Sequence, residues 1–308
     1  MLAPDLVKLI DDKAAAECGI TSLRYSSVYI RQLNEHINGT CKLTAHEIKT
    51  KIGYLAGCLT ITLNYPMQEL KFLRARLCEG QIDREQKFYR VNDLSYINQP
   101  TDSFPKAGRL NKAGQALFYA SLIVKKDDTA LRVVLSEVAA KELDRLNVLR
   151  SHQKTGSDLN LRIIGIWDLV RQDEKPYYLS ENSFNYCKEA KKYMAQKFDP
   201  KLLLAYELTD RFFNDILSRE GSDALYQVTS HLSSIFIGDK DKTDGLLYSS
   251  VQAKGEPVVA LTPKAVDYKL EHQFVCDVLI EKHFGYEFYE PNTTAVAKID
   301  KKTGKLEW

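Results

Sequence analysis

Gly108-Arg109-Leu110-Asn111-Lys112-Ala113-Gly114-Gln115-Ala116-Leu117-Phe118-Tyr119-Ala120-Ser121 is a polar, glycine-bounded loop that runs straight into aromatic and aliphatic residues. The stretch from Ala116 to Ala120 suits a pleated surface and predicts a short strand. A polar loop at the end of a strand is where open sheets commonly hold ligands. Gly108 and Gly114 can adopt backbone angles closed to residues with a Cβ, so the turn carrying Arg109 and Asn111 can approach a ligand closely. From these residues alone, a surface hairpin loop is the simpler reading.

Immediately after this strand, Lys125 to Lys141 predicts a helix. Asp127 or Asp128 can cap it, and Ala130, Val133, Val134 and Val138 form its apolar stripe. Glu137 falls on that stripe, where a carboxylate is costly to bury unless it is paired. Three readings stand: a frayed helix end, a structural ion pair, or a carboxylate held in a cleft facing Arg74, Arg76 or Arg109. Before the loop, Leu70 to Leu77 alternates as a strand and sends Arg74 and Arg76 to one face. They suit either a solvated edge or recognition of phosphate by the guanidinium fork. The loop expected over Glu79 to Lys106 is long enough to suggest a function.

Farther out, Leu161 to Leu169 is the most continuously apolar stretch and predicts a central strand. Ser180 to Phe236 reads as helical. Asp199-Pro200 starts one helix, with Leu203, Tyr206, Phe212, Phe213 and Ile216 facing inward, and a second runs from Ser222 to about Ile237. His231 reads as a partly exposed helix residue. A turn-rich loop, Gly238 to Gly245, precedes a strand over Leu246 to Val251, where Ser249 and Ser250 point to opposite faces. Pro257 to Leu261 is another strand, and Ala295 to Trp308 reads as a hairpin. Pro4 to about Thr60 is helical, with Thr44 and Glu47 spaced as a capping box and an apolar stripe (Val28, Tyr29, Ile30, Leu33) that needs a surface to cover.

The 308 residues carry 43 basic and 41 acidic side chains, so no global charge favours nucleic acid or an anionic membrane. Cys18, Cys41, Cys58, Cys78, Cys187 and Cys276 are scattered and read as reduced thiols. The six histidines show no metal-binding spacing. No apolar run reaches membrane-spanning length and the first residues lack a signal-peptide core, so a soluble cytoplasmic protein is expected.

Taken in order, Leu73-Arg74-Ala75-Arg76, then Gly108-Arg109-Leu110-Asn111 with Gly114 and Phe118-Tyr119-Ala120-Ser121, then Glu137, then Asp244-Gly245-Leu246-Leu247-Tyr248-Ser249-Ser250, resemble the RES-domain family. The likeness covers about Leu70 to Pro263 and rests on four short motifs in order. It implies an α+β fold: an ADP-ribosyltransferase-like mixed β-sheet core, with residues 1–65 as a helical N-terminal region. Residues 66–308 would form the NAD-binding domain, with a helical insertion at about 175–237. It also implies a toxin-like enzyme that consumes NAD as substrate, cleaving the nicotinamide–ribose bond with phosphate or water as acceptor, or transferring ADP-ribose to a macromolecule. The partners implied are NAD and an antitoxin or other inhibitory protein. The apolar helical faces suit a homo-oligomer equally well.

Carried across by the resemblance, Arg74 would grip the NAD diphosphate. Arg109 and Asn111 of the glycine loop would help hold phosphate or ribose, and Tyr119 would pack against the nicotinamide. Glu137 would bond the nicotinamide ribose and stabilise the charge that grows as the glycosidic bond breaks. Ser250 would bond a phosphate or ribose oxygen. Two departures stand out: a long helical stretch between Glu137 and Ser250, and Ser249 where family members often have proline, which leaves open the serine that faces the site. A non-catalytic scaffold binding NAD or a partner is the reading from a different class.

Overall fold

In the computed structural model the described residues are 2–61, 63–78, 88–97, 107–124, 127–237, 243–253 and 255–308. Most of the loop expected over Glu79 to Lys106 lies outside them, as do Lys125 and Lys126 ahead of the helix, residues 238–242 and Lys254. The chain is α+β. Its helices in order are α1 (Pro4–Ala16), α2 (Gly19–Ile37), α3 (Ala45–Cys58), α4 (Asp127–Glu137), α5 (Ile166–Gln172), α6 (Glu181–Lys197), α7 (Pro200–Leu217), α8 (Asp223–Phe236) and α9 (Pro263–Lys269). Its strands are β1 (Asn64–Met67), β2 (Lys71–Leu77), β3 (Phe118–Ile123), β4 (Arg145–Gln153), β5 (Leu159–Ile163), β6 (Gly245–Ser249), β7 (Pro257–Leu261), β8 (Leu270–His283), β9 (Tyr289–Ile299) and β10 (Leu306–Glu307).

Contacts divide the chain into two compact units. The first joins residues 1–63, 107–112 and 162–241 and is helical. The N-terminal helices and the helices after residue 175, which stand apart in sequence, therefore belong to one body. Within it α2 packs on α7 and α3 on α8. The caps expected from sequence are made: Thr44 and Glu47 close a capping box on α3, Asp199 accepts from the Lys201 N–H, and Ser222 accepts from the Leu225 N–H. Tyr206, Phe212, Phe213 and Ile216 of α7 are buried, and the Phe213 and Phe236 rings meet edge to face at 5.9 Å. The buried face of α2 differs from the expected stripe. It consists of Gly19, Ser22, Ser26, Leu33 and His36, while Val28, Tyr29 and Ile30 are half-exposed. Small residues serve there because α2 runs close to α7: a Cβ on Gly19 would lie 2.2 Å from the Asp199 carboxylate.

The second unit, residues 64–106, 113–161 and 242–308, carries the sheet. Its strand order is β1-β5-β6-β7-β3-β2-β4-β8-β9-β10, and from β6 to β10 each neighbouring pair is antiparallel. One face of β2, β4 and β8 presents Leu73, Ala75, Leu146, Val148, Val278 and Ile280 to Ala130, Val134 and Leu135 of α4, forming a compact core. Strand alternation sends Phe72, Arg74 and Arg76 to the opposite face. The C-terminal hairpin forms as expected, β10 returning along β9.

Two boundaries need correction. The apolar stretch Leu161 to Leu169 is not one strand: β5 ends at Ile163, Gly165 takes φ +82°, and α5 begins at Ile166. β5 also lies between β1 and β6, near an edge of the sheet, not at its centre. The strand expected over Ala116 to Ala120 starts later, at Phe118, and continues to Ile123.

Candidate functional site

Glu137 is the last residue of α4, and its side chain is exposed. The expected inward placement does not hold. Val133 and Val134 take the stripe, and Ala139 turns left-handed at φ 51°, so the chain leaves the helix just beyond Glu137. The carboxylate is nevertheless held. Ser250 Oγ donates to Glu137 Oε1 and also accepts the N–H of Ala253 at 2.9 Å. Ser250 is 2% exposed and sits just past β6, its own N–H bonded to the Glu256 carbonyl. Of the two adjacent serines, Ser250 is the one that meets Glu137. One buried hydroxyl thus links the ends of two elements 113 residues apart.

Tyr119 is half-buried on β3. Ser121, two residues on, bonds the Ala130 carbonyl of α4, so alternation puts the Tyr119 side chain on the α4 side of the sheet. Arg74 lies on the other side. Its Nε donates to the Leu94 carbonyl at 2.9 Å and its Nη1 to the Tyr119 carbonyl at 2.7 Å. Two of its five N–H donors are thereby fixed on main-chain oxygens. Its guanidinium lies over the Phe118 ring at 5.4 Å. Burial, reinforced by the like charge of Arg76, pushes the Arg74 pKa down to about 10, which leaves it a cation at neutral pH. Arg76 similarly donates to the Asp93 carbonyl and covers the Phe88 ring.

Arg109 and Asn111 belong to the helical unit. Arg109 Nη1 donates to the carbonyls of Leu217, the last residue of α7, and of Arg219 just beyond it. Asn111 is 5% exposed, its side chain donates to the Lys112 carbonyl, and its own carbonyl accepts from Gly108. Of the residues singled out in sequence, Glu137 and Ser250 are therefore in direct contact. Tyr119 shares their side of the sheet, and Arg74 projects from the opposite side.

Sequence reading missed a polar cleft on Arg74's side of the sheet, lined by Asn92, Ser95, Tyr96, Val266, Asp267, Leu270 and His272. These residues come from two stretches about 170 residues apart, 92–96 and 266–272, with no shared motif, so only the fold brings them together. It also missed Asp210, buried on α7 beside Trp167 and Met194. Burial pushes its pKa up to about 7, against the hydrogen bonds it accepts from the main chain of Asp168 and Gly165, and its Oδ2 has no partner among the described residues.

All six cysteines are free thiols. Among the described residues, no helix is long and apolar enough to cross a membrane. Searches of protein-family models, of curated proteins and of solved structures each find no match to this chain.

Proposed function

We propose that this chain consumes NAD, breaking the bond between nicotinamide and ribose and passing the ADP-ribosyl group to water or phosphate. The observation that carries the reading is the hydrogen bond from Ser250 to Glu137. The two residues are 113 positions apart in the chain, and both belong to the motifs that carry the resemblance.

The chemistry follows from the carboxylate. As the C1′–N bond breaks, its electron pair leaves with nicotinamide and positive charge grows on the ribosyl carbon. A fixed carboxylate stabilises that charge because it needs little reorganisation. The acceptor oxygen then bonds to C1′ and loses its proton. Ser250 is buried, and its proton is already committed to Glu137, so its part is to orient the carboxylate, not to attack. Tyr119 offers an aromatic face to nicotinamide. Arg74, on the other side of the sheet, has no part in this step.

A non-catalytic scaffold is the second reading, and one observation favours it. Arg74 and Arg109 both donate to main-chain carbonyls, as structural arginines do. Incubation of the purified chain with NAD, with and without inorganic phosphate, followed by product mass, separates the readings. Free nicotinamide with ADP-ribose or its phosphate ester supports cleavage, and a protein mass increased by an ADP-ribosyl group supports ADP-ribosylation of a macromolecule. Intact NAD in every tube, acceptor proteins included, supports the scaffold.

A further inference from the structure

On the side of the sheet away from α4, an open cleft lies between the segment 92–96, α9 and the start of β8. Its lining is predominantly polar over an apolar floor of Val266 and Leu270, both buried. Three polar groups define its chemistry. Ser95 Oγ, in a residue 5% exposed, has no hydrogen-bond partner among the described residues, an unusual state for a buried hydroxyl in a native protein. The two Asp267 oxygens share the single phenolic proton of Tyr96, each at 2.9 Å, which leaves most of the carboxylate's accepting capacity unused. His272 has its Nδ1 engaged by Ser151 Oγ at 2.7 Å, which leaves Nε2 as the ring's remaining polar atom. Phe118 stacks on that ring at 6.2 Å and Arg74 lies over Phe118. Arg74 also holds the Leu94 carbonyl, next to Ser95.

The ligand class follows by comparing what each candidate needs. A phosphate calls for cations, yet no lysine or arginine is among the lining residues. Lys154, close by, donates to the carbonyls of Asp267 and Tyr268 at the end of α9. A hydrocarbon calls for a dry wall, and a metal ion for more than one carboxylate. A neutral sugar fits: hydroxyls that both give and accept hydrogen bonds match a carboxylate, a free hydroxyl and a neutral imidazole, while Val266 and Leu270 can receive the C–H face. We propose that this cleft binds a vicinal diol of a sugar, with Asp267 accepting from both hydroxyls and with Ser95 and His272 completing the set. The proposal goes beyond the NAD-cleavage reading and does not depend on it, since it needs neither Glu137 nor turnover.

Titration calorimetry tests it with three probes on the full chain: D-ribose, adenosine and 2′,3′-dideoxyadenosine. Adenosine is expected to bind at least about tenfold more tightly than its dideoxy analogue, because only the former presents a diol to Asp267. Binding of ribose as well assigns the site to the sugar alone. Binding of adenosine without ribose assigns it to a nucleoside sugar. Asp267→Asn should weaken diol binding by about tenfold, and Ser95→Ala, a truncation too small to unfold the unit, by about threefold. Equal affinity for adenosine and its dideoxy analogue, unchanged binding in both variants, or no heat from any probe at about 10 mM would overturn the assignment.

Discussion

Ser250 uses both halves of its hydroxyl, giving its proton to Glu137 and accepting one from the Ala253 N–H. A residue in that position acts through its neighbour, and effects of such a pair are not additive. Glu137→Gln should lower the rate of nicotinamide release by about 100-fold or more, and Ser250→Ala by about tenfold. The double variant should be no slower than Glu137→Gln alone. Initial rates of nicotinamide release by the three variants check this, and fully multiplicative losses would show two independent roles. Titration offers a second test at this scale. Asp210 has its pKa raised to about 7, above its usual 3.8, so the folded state holds a proton that the unfolded chain releases across that window. Stability of the helical unit should therefore fall as pH rises from about 4 to 7, by at most about 4 kcal/mol at roughly 1.4 kcal/mol per unit. His272 works in the opposite sense. Burial lowers its pKa from 6.5 to about 4, so the unfolded chain takes up the proton first and the sheet unit loses stability as pH falls through that window. Between about pH 5 and 7.5 the two contributions oppose one another, so in urea unfolding Asp210→Asn should gain about 2 kcal/mol of stability with rising pH where the parent changes little. His272→Gln should remove the acid-side loss. At this scale the motif residues were legible one by one. The cleft of Ser95, Asp267 and His272 was not, because Ser95 and Tyr96 lie about 170 residues from Asp267 and His272 in sequence.

Helix caps and inward stripes were the most legible elements, since Thr44-Glu47, Asp199-Pro200 and Ser222 act on their immediate neighbours. The strands β4 and β8, which no sequence expectation included, show the limit. β4 carries Asn147 and Ser151 at buried positions, and these polar residues hide its alternation. Their partners lie on β8, where Asp277 accepts from Asn147 at 3.0 Å and His272 meets Ser151. A buried polar pair looks like two loop residues until the strands are side by side. Gly165 shows the converse, a continuous apolar run cut in two by one backbone angle. At φ +82° any side chain is strained, and a Cβ would lie 2.5 Å from the Asn214 side chain. Gly165→Ala should cost about 2 kcal/mol or more in urea unfolding followed by circular dichroism. A loss below about 0.5 kcal/mol would mean that the turn between β5 and α5 tolerates an ordinary residue.

At the level of the whole chain, the sequence shows two helical stretches separated by strands, and their union into one unit rests on contacts that local pattern cannot report. The physical reason is that neither stretch can bury its own apolar surface. α7 offers Tyr206, Phe212 and Phe213, and α8 offers Leu225, Val228 and Leu232. α2 and α3 pack on these two helices within the unit. α3 brings Ile48, Ile52 and Leu55 to that packing, all fully buried. Removing residues 1–63 would delete these three side chains and forfeit their burial, each worth about 1.5–3 kcal/mol, before the exposure of the facing surfaces of α7 and α8 is counted. That sum, about 4.5–9 kcal/mol, is of the same size as the roughly 5–15 kcal/mol by which folded domains are ordinarily stable. A chain starting at Asn64 is therefore expected to lose the cooperative unfolding of its helical signal and to expose apolar surface that binds a hydrophobic dye. Adding residues 1–63 back as a separate peptide should restore both, because the missing helices supply packing and not a covalent link. A shortened chain that stayed soluble and melted as sharply as the parent would instead mean that residues 162–241 hold together without the first three helices.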